Sequence, residues 1–292
     1  MQDITTNTSV APSAGSGPNP ALQSPVPGTQ APQGPGPEAA KVLVATGLVK
    51  RFGGVTALSG VSIEVRAGEV VAVVGDNGAG KSTLMKCVAG AMRPDGGTIE
   101  VCGSEVHFRD PREAREVGIE VVYQELALAD DLDVSANLFL GREITRRVGP
   151  LRILDKRAMH SKAREIIEGF GVNLPSIKVN VRALSGGQRQ GVAIGRAVSW
   201  GTRLVVMDEP TAALGVRETA RIESVIQNLA AQGISVILVS HNLEQVFRAS
   251  HRIYVLRRGH LVGTRRTAET NGDEIVALIT GTKHDEPGQA AG

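Results

Sequence analysis

Aromatic residues are scarce, with five Phe, two Tyr and one Trp in 292 residues. A core made from this chain must be largely aliphatic, and an exposed ring invites a functional question. There are only two cysteines, Cys87 and Cys102, in neither C-x-x-C nor Cys/His spacing. This argues against a disulfide framework or zinc site and fits a reducing compartment, with both thiols expected as small buried apolar residues. Net charge is only +2, from 32 basic and 30 acidic residues, so charge gives no reason to expect nucleic acid as a partner. No apolar stretch approaches the ~18 residues of a membrane span. The longest, around Val70 to Val74 and Ile234 to Val239, are strand-length, so any link to a membrane is expected to run through another chain.

The first 40 residues contain neither Lys nor Arg, and their only charged side chains are Asp3 and Glu38. Eight of the 14 prolines lie there among Gly, Ser, Ala and Gln. Such a segment buries too little apolar surface to offset its ordering entropy, so residues 1–40 read as a disordered tail. With no basic n-region and no apolar h-region it does not read as a signal or transit peptide. The last residues, 283–292, read as a second flexible tail.

The chain is organised around Gly75-Asp76-Asn77-Gly78-Ala79-Gly80-Lys81-Ser82, with Thr83 behind it. This is the pattern G-x-x-x-x-G-K-[ST], which arises by chance in about one random chain of this length in a hundred. The run Glu69 to Val74 reads as a buried strand and Ser82 to Ala89 as a helix. Glycines let successive N–H groups turn toward anionic oxygens, and the helix N-terminus adds its positive end. Lys81 is then placed for β- and γ-phosphates, and the Ser82 hydroxyl for Mg²⁺.

Other signals are weaker alone. Val42 to Val44 and Val61 to Val65 alternate as half-buried strands, with Phe52 between them. Phe52 is either a stacking platform for a base or ordinary core packing. Thr98 to Val101 and Ile119 to Tyr123 read as strands, the second ending at Gln124. Residues 127–180 read as mostly helical, with Asp155 capping a helix that Gly171 ends. Leu184-Ser185-Gly186-Gly187-Gln188 starts a helix at Ser185, as a plain cap or as a phosphate approach. Arg203 to Met207 is a buried strand that delivers Asp208 and Glu209 to its end, where parallel α/β sheets collect ligands, unless the pair is a solvated turn. Ile234 to Ser240 is another strand, followed by His241, a γ-phosphate contact or a structural imidazole.

In this order and company, the motifs resemble the nucleotide-binding subunit of an ATP-binding cassette (ABC) transporter over residues 41–282. The pentapeptide Leu184 to Gln188 is the most diagnostic piece. The resemblance implies an α/β phosphate-loop NTPase core with an N-terminal antiparallel β subdomain and an inserted helical subdomain at about 127–190. It also implies ATP and Mg²⁺ as ligands. Gly75, Asp76, Asn77, Gly78, Ala79, Gly80, Lys81, Ser82 and Thr83 match Walker A, and Phe52 matches the adenine-stacking aromatic. Asp208 matches the Walker B aspartate and joins Ser82 and Gln124 around the metal. Glu209 matches the catalytic glutamate, Gln124 the Q-loop residue and His241 the switch histidine, with Lys81 on the transferred phosphate.

Ser185, Gly186, Gly187 and Gln188 match the signature, which in this family closes on ATP held by another subunit. One Walker A and one signature per chain therefore imply a second nucleotide-binding subunit, most simply a homodimer. Finer likeness, in Val121 to Leu128, Asn137 to Glu143 and Thr211 to Val216, is to the ribose, xylose and fructose importers. That implies separate permease subunits, an extracytoplasmic sugar-binding protein acting indirectly, no nucleic acid, and a peripheral place on the cytoplasmic face of the inner membrane. A soluble cassette acting on nucleic acid or ribosomes usually shows a second cassette, a coiled coil or basic character, none visible here. A non-hydrolysing regulator is expected to lose Lys81 or Glu209, and both are present. Two positions depart from the wider pattern. Gly215 stands where a D-loop aspartate is usual, and His251 reads as a surface variant without function.

Overall fold

The computed structural model describes residues 34–36, 38–148, 150–212 and 214–283. The tail expected over 1–40 lies outside them up to residue 33, and the end expected over 283–292 lies outside them from residue 284. The ordered chain opens on an antiparallel hairpin, β1 (Lys41–Phe52) with β2 (Val55–Arg66). The strands expected at 42–44 and 61–65 are only parts of it. Gly47 and Gly60 adopt φ of +61° and +77° at shifts in register, so pairing resumes beyond them and ends with Phe52 opposite Val55. Phe52 thus ends β1.

There follow β3 (Val70–Val74), α1 (Lys81–Val88), β4 (Gly96–Val101), β5 (Ser104–Glu105), α2 (Pro111–Glu116) and β6 (Ile119–Val122). Next come α3 (Val134–Leu138), β7 (Thr145–Val148), β8 (Leu151–Leu154), α4 (Lys156–Gly169) and α5 (Gly186–Val198). The chain then alternates through β9 (Leu204–Asp208), α6 (Val216–Ala231), β10 (Ser235–Val239), α7 (Leu243–Ala249) and β11 (Arg252–Arg257). It closes on β12 (His260–Arg266) and α8 (Gly272–Thr280).

Two sheets result. One is antiparallel in the order β2-β1-β4-β5. The other runs β12-β11-β3-β10-β9-β6, its last five strands parallel and β12 an antiparallel edge. Every residue of β3 and β10 is buried, because both faces of a parallel sheet are covered. Leu84, Met85 and Val88 of α1 join Leu43, Leu58, Val71 and Val73 in one aliphatic core between the sheets. Ile194, Ile222, Val225 and Leu229 of α5 and α6 cover the other side. A separate core of Leu138, Phe139, Met159, Ile166, Val181 and Leu184 holds α3, α4 and the start of α5 together. Phe139 meets Trp200 edge-on at 5.6 Å, so one of the few aromatic contacts lies in this core.

Three expectations are corrected. The stretch 127–180 is not mostly helical, since β7 and β8 form a hairpin within it and α3 has only five residues. The Gly149-Pro150 dipeptide is a turn signal, and it separates two short runs with β-forming residues. Cys87 is buried, its thiol pushed up to about 11 by that burial, but Cys102 is exposed. Cys102 and Gly103 form the two-residue turn between β4 and β5 with φ of +51° and +79°, and a hairpin tip faces solvent. His251 is not a surface variant either. Its half-buried ring accepts a 2.9 Å hydrogen bond at Nδ1 from the Val70 N–H, which starts the strand feeding the glycine-rich loop.

Candidate active site

The loops that follow β3, β6, β9 and β10 share one edge of the sheet because those strands are parallel. Gly75 leaves β3 with φ of +149°, and an added Cβ would strike the Leu256 carbonyl. Gly80 has φ of +106°, with the Ala57 carbonyl 2.6 Å from where a Cβ would sit. Only glycine suits either place. The loop is braced from beneath, as Gly259 N–H donates to the Ala79 carbonyl at 3.0 Å and Ser59 N–H donates to Gly259 at 2.8 Å.

Lys81 is buried, and its Nζ donates to the Gly75 and Asp76 carbonyls at 2.6 and 2.9 Å. Burial lowers its pKa, while the carboxylates of Glu209, Asp76 and Asp208 act to raise it. The ammonium therefore stands where the loop, Asp208 and Glu209 converge. Gly80 gives α1 no side-chain cap, and no acid occupies the first turn. The backbone donors there are left for an anion. Ser82 is exposed at this helix start and Thr83 is half-buried, while Asp76, Asn77 and Gly78 form the open rim and Ala79 is buried.

Asp208 is the last residue of β9. Burial pushes its carboxyl pKa up, as does Glu209, against Lys81 and Lys86. Glu209 follows with φ of +48°, a left-handed conformation for a side-chain-bearing residue. Its N–H donates to the Val239 carbonyl at 2.9 Å, tying the end of β9 to β10. Its Oε1 lies 2.9 Å from His241 Nδ1. The His241 side chain is 70% exposed, against 27% for Glu209, so the carboxylate is sheltered and the imidazole open. Behind it, Ser240 Oγ accepts from Asn242 N–H at 3.1 Å and donates to Gln245 Oε1 at 2.8 Å, which fixes the turn into α7.

Gln124 is exposed two residues beyond β6. Phe52 is 48% exposed, and Lys50 Nζ stands 5.8 Å from its ring centroid. That disfavours the core-packing alternative and leaves a ring face available. Ser185 caps α5, with Gln188 N–H donating to its Oγ at 3.3 Å and Gln188 Oε1 accepting from its N–H at 3.0 Å. Gly186 is exposed and Gly187 half-buried. A small cavity beside this turn is lined by Asn173, Ser185, Gly187, Glu218 and Arg221, and by no residue of Gly75 to Thr83.

Three features escaped sequence reasoning. Glu209 and His241, separate signals in the sequence, form one contacting pair. Glu218 of α6 accepts from Gly215 N–H at 3.4 Å and lines the same cavity as Ser185 and Gly187, and the polar groups around it lower its pKa, Ser185 foremost. The offset from Gly215 to Glu218 is that of a capping box, so its bond to Gly215 was legible, but its reach to Ser185 was not. Arg196 of α5 donates to the Leu126 and Ala127 carbonyls, at 3.0 and 2.8 Å, in the loop that follows Gln124. No local pattern announces that long-range contact.

Among the described residues there is no cluster of three His, Cys, Asp or Glu side chains for a metal. Ser82 and Asp208 nevertheless offer hard oxygens of the kind Mg²⁺ takes when phosphates and water complete its shell.

A glycine-rich loop opening a helix from the centre of a parallel sheet, with acids at the end of the next strand but one, defines a phosphate-loop ATPase. Residues 58–212 match the ABC transporter family. The chain is 44% identical over 247 residues to the fructose import ATP-binding protein FrcA of Rhizobium meliloti, across 83% of this chain and 95% of that one. It is 44% identical over 237 residues to the ribose import ATP-binding protein RbsA of Geobacillus kaustophilus, covering 81% of this chain but 47% of the relative. Its fold resembles the crystal structure of the ADP conformation of MJ1267, an ATP-binding cassette of an ABC transporter. That likeness has a TM-score of 0.71 and 28% identity, over 82% of this chain and 95% of the other. The chain belongs to the ABC transporter family and is one of its ATPases.

Proposed function

We propose that this chain is the ATP-hydrolysing subunit of a monosaccharide importer, docked peripherally on separate permease subunits and paired with a second copy of itself. The observation that carries the catalytic reading is the convergence of Lys81, Asp208, Glu209 and His241 at one sheet edge. The sugar rests on the relatives, above all the match across nearly the whole fructose import ATP-binding protein. No helix among the described residues is long and apolar enough to cross a membrane, and peripheral attachment on the cytoplasmic face accords with that.

In this reading Phe52 stacks on adenine, and Gly75 to Thr83 wrap the phosphates. Lys81 and the backbone N–H groups of the loop neutralise charge on the transferred phosphoryl group, the main task in such a transfer. Glu209 takes a proton from water as its oxygen adds to the γ-phosphorus and the bond to the ADP oxygen breaks. His241 orients the carboxylate that receives the proton. Ser82, Asp208 and Gln124 would hold Mg²⁺, which would supply neutralisation of phosphate charge when bound. Ser185, Gly186, Gly187 and Gln188 close the site on the partner's nucleotide.

Two variants test this. Lys81→Ala should abolish ATP hydrolysis. Glu209→Gln should lower turnover by about 10²–10⁴-fold, the scale of a general base, while still retaining bound ATP. Turnover near the wild-type rate in the Gln variant would remove Glu209 from the mechanism.

A further inference from the structure

The β7–β8 hairpin takes no part in the nucleotide site. All eight of its strand residues are exposed. In its register Thr145 faces Leu154, Arg146 faces Ile153, Arg147 faces Arg152 and Val148 faces Leu151. Paired residues share a face, and alternate pairs take opposite faces. One face therefore carries Arg146, Val148, Leu151 and Ile153, and the other carries Thr145, Arg147, Arg152 and Leu154. Val148, Leu151, Ile153 and Leu154 are exposed by 48%, 66%, 38% and 49%.

The charges are as unusual as the aliphatic groups. Arg146, Arg147, Arg152, Lys156 and Arg157 have no carboxylate partner among the described residues. The acids nearby are engaged with backbone, since Glu143 accepts from Gly141 N–H and Asp155 caps α4 through Ala158 N–H. Arg147 directly opposite Arg152 is a like-charge pair, which destabilises a ribbon already marginal on its own. The whole chain carries only +2, so five cations against the single acid Asp155 within residues 146–157 are a local concentration, not a general trait.

We propose that this hairpin is a membrane-surface contact that takes the anionic headgroups of phospholipids. Guanidinium groups pair with phosphate in a two-pronged geometry, and the aliphatic side chains between them can enter the headgroup boundary. A bilayer interface is favoured over an acidic protein segment because a protein groove covers one face of a ribbon. Here both faces carry cations together with exposed aliphatic groups, which suits a medium that surrounds the ribbon. The contact goes beyond docking on a permease, because it needs only lipid.

Flotation of the full chain with vesicles tests it without a permease. The chain should float with vesicles of phosphatidylcholine containing phosphatidylglycerol at about 0.15 M salt, and not with phosphatidylcholine alone. Each arginine near an anionic surface is worth roughly a five-fold gain in partitioning. Joint replacement of Arg146, Arg147 and Arg152 by Ser should therefore weaken binding about 100-fold. Replacing Val148, Leu151 and Ile153 by Ser should remove the part of the binding that survives high salt. ATP hydrolysis measured on the same samples should match wild type, which shows that the variants fold and keeps this test separate from that of the catalytic reading. No flotation, equal flotation on both vesicles, or unchanged flotation of the arginine variant would each overturn the proposal. Capture by poly-glutamate beads with no affinity for phosphatidylglycerol vesicles would overturn it in favour of an acidic protein partner.

Discussion

Glu209 sits at φ of +48°, a conformation that costs a side-chain-bearing residue of order 1 kcal/mol or more. The bond from its N–H to Val239 and the contact with His241 hold it there, so the carboxylate is aimed by its backbone before any nucleotide arrives. His251 shows the same economy in a structural setting. It receives the Val70 N–H on Nδ1, and burial lowers its pKa against the pull of Glu69. Protonation requires surrendering that bond. Below the unfolded pKa of about 6.5 the unfolded chain binds a proton that the folded chain resists, so stability is full above that pH and falls as pH drops toward the folded value. Thermal melts from pH 7.5 down to 5 should show this loss, and His251→Ala should lack its share of it. The Ala variant should also lose about 1–3 kcal/mol at neutral pH, because the Val70 N–H is left unpaired, lowering Tm by several degrees. An unchanged slope in the variant would assign the pH dependence elsewhere.

Among the elements, α5 touches two of the candidate site's stretches. Its first turn holds Ser185 and Gln188 in a capping box, and Arg196 near its last turn grips the Leu126 and Ala127 carbonyls just beyond Gln124. One rigid helix thus joins the signature to the loop that carries Gln124. If that grip positions Gln124, Arg196→Ala should leave KM for ATP within about three-fold and reduce kcat about 10–100-fold, the penalty of a displaced catalytic group. Steady-state kinetics separates the two parameters, and an unchanged kcat would make Arg196 purely structural. The elements also show what was legible. Strands β3, β9 and β10 announced themselves because buried parallel strands are unbroken aliphatic runs, and α4 because its apolar spacing is helical and Asp155 caps it. Each motif was readable because its chemistry sits on consecutive residues. The hairpin at 145–154 was lost because its short runs are exposed on both faces and show no apolar stripe. Arg196 and the reach of Glu218 were lost because their partners lie far away in the chain, where only the fold brings them together.

At the scale of the whole molecule, the two stretches proposed to bind phosphate lie on different parts of one chain. Gly75 to Thr83 leave the middle of the parallel sheet, whereas Ser185 to Gln188 start α5 beside α6, around a cavity that no Walker A residue lines. Glu218 of the same chain stands beside Ser185 and Gly187 in that cavity. A site completed in trans demands that one copy's signature reach the other's nucleotide, and mixing inactive variants decides the matter. Lys81→Ala spoils only the loop, and Gly186→Asp spoils only the signature by placing a carboxylate where phosphate is to approach. Neither homodimer should hydrolyse ATP. In an equal mixture, half of the dimers pair one variant with the other, and each of these holds one site with both parts intact. The mixture should recover about a quarter of the wild-type rate, as two-fold pairing of independent sites requires, and recovery should grow with total protein concentration. Sites completed within one chain predict no recovery at any concentration, because every chain in the mixture then carries a broken site.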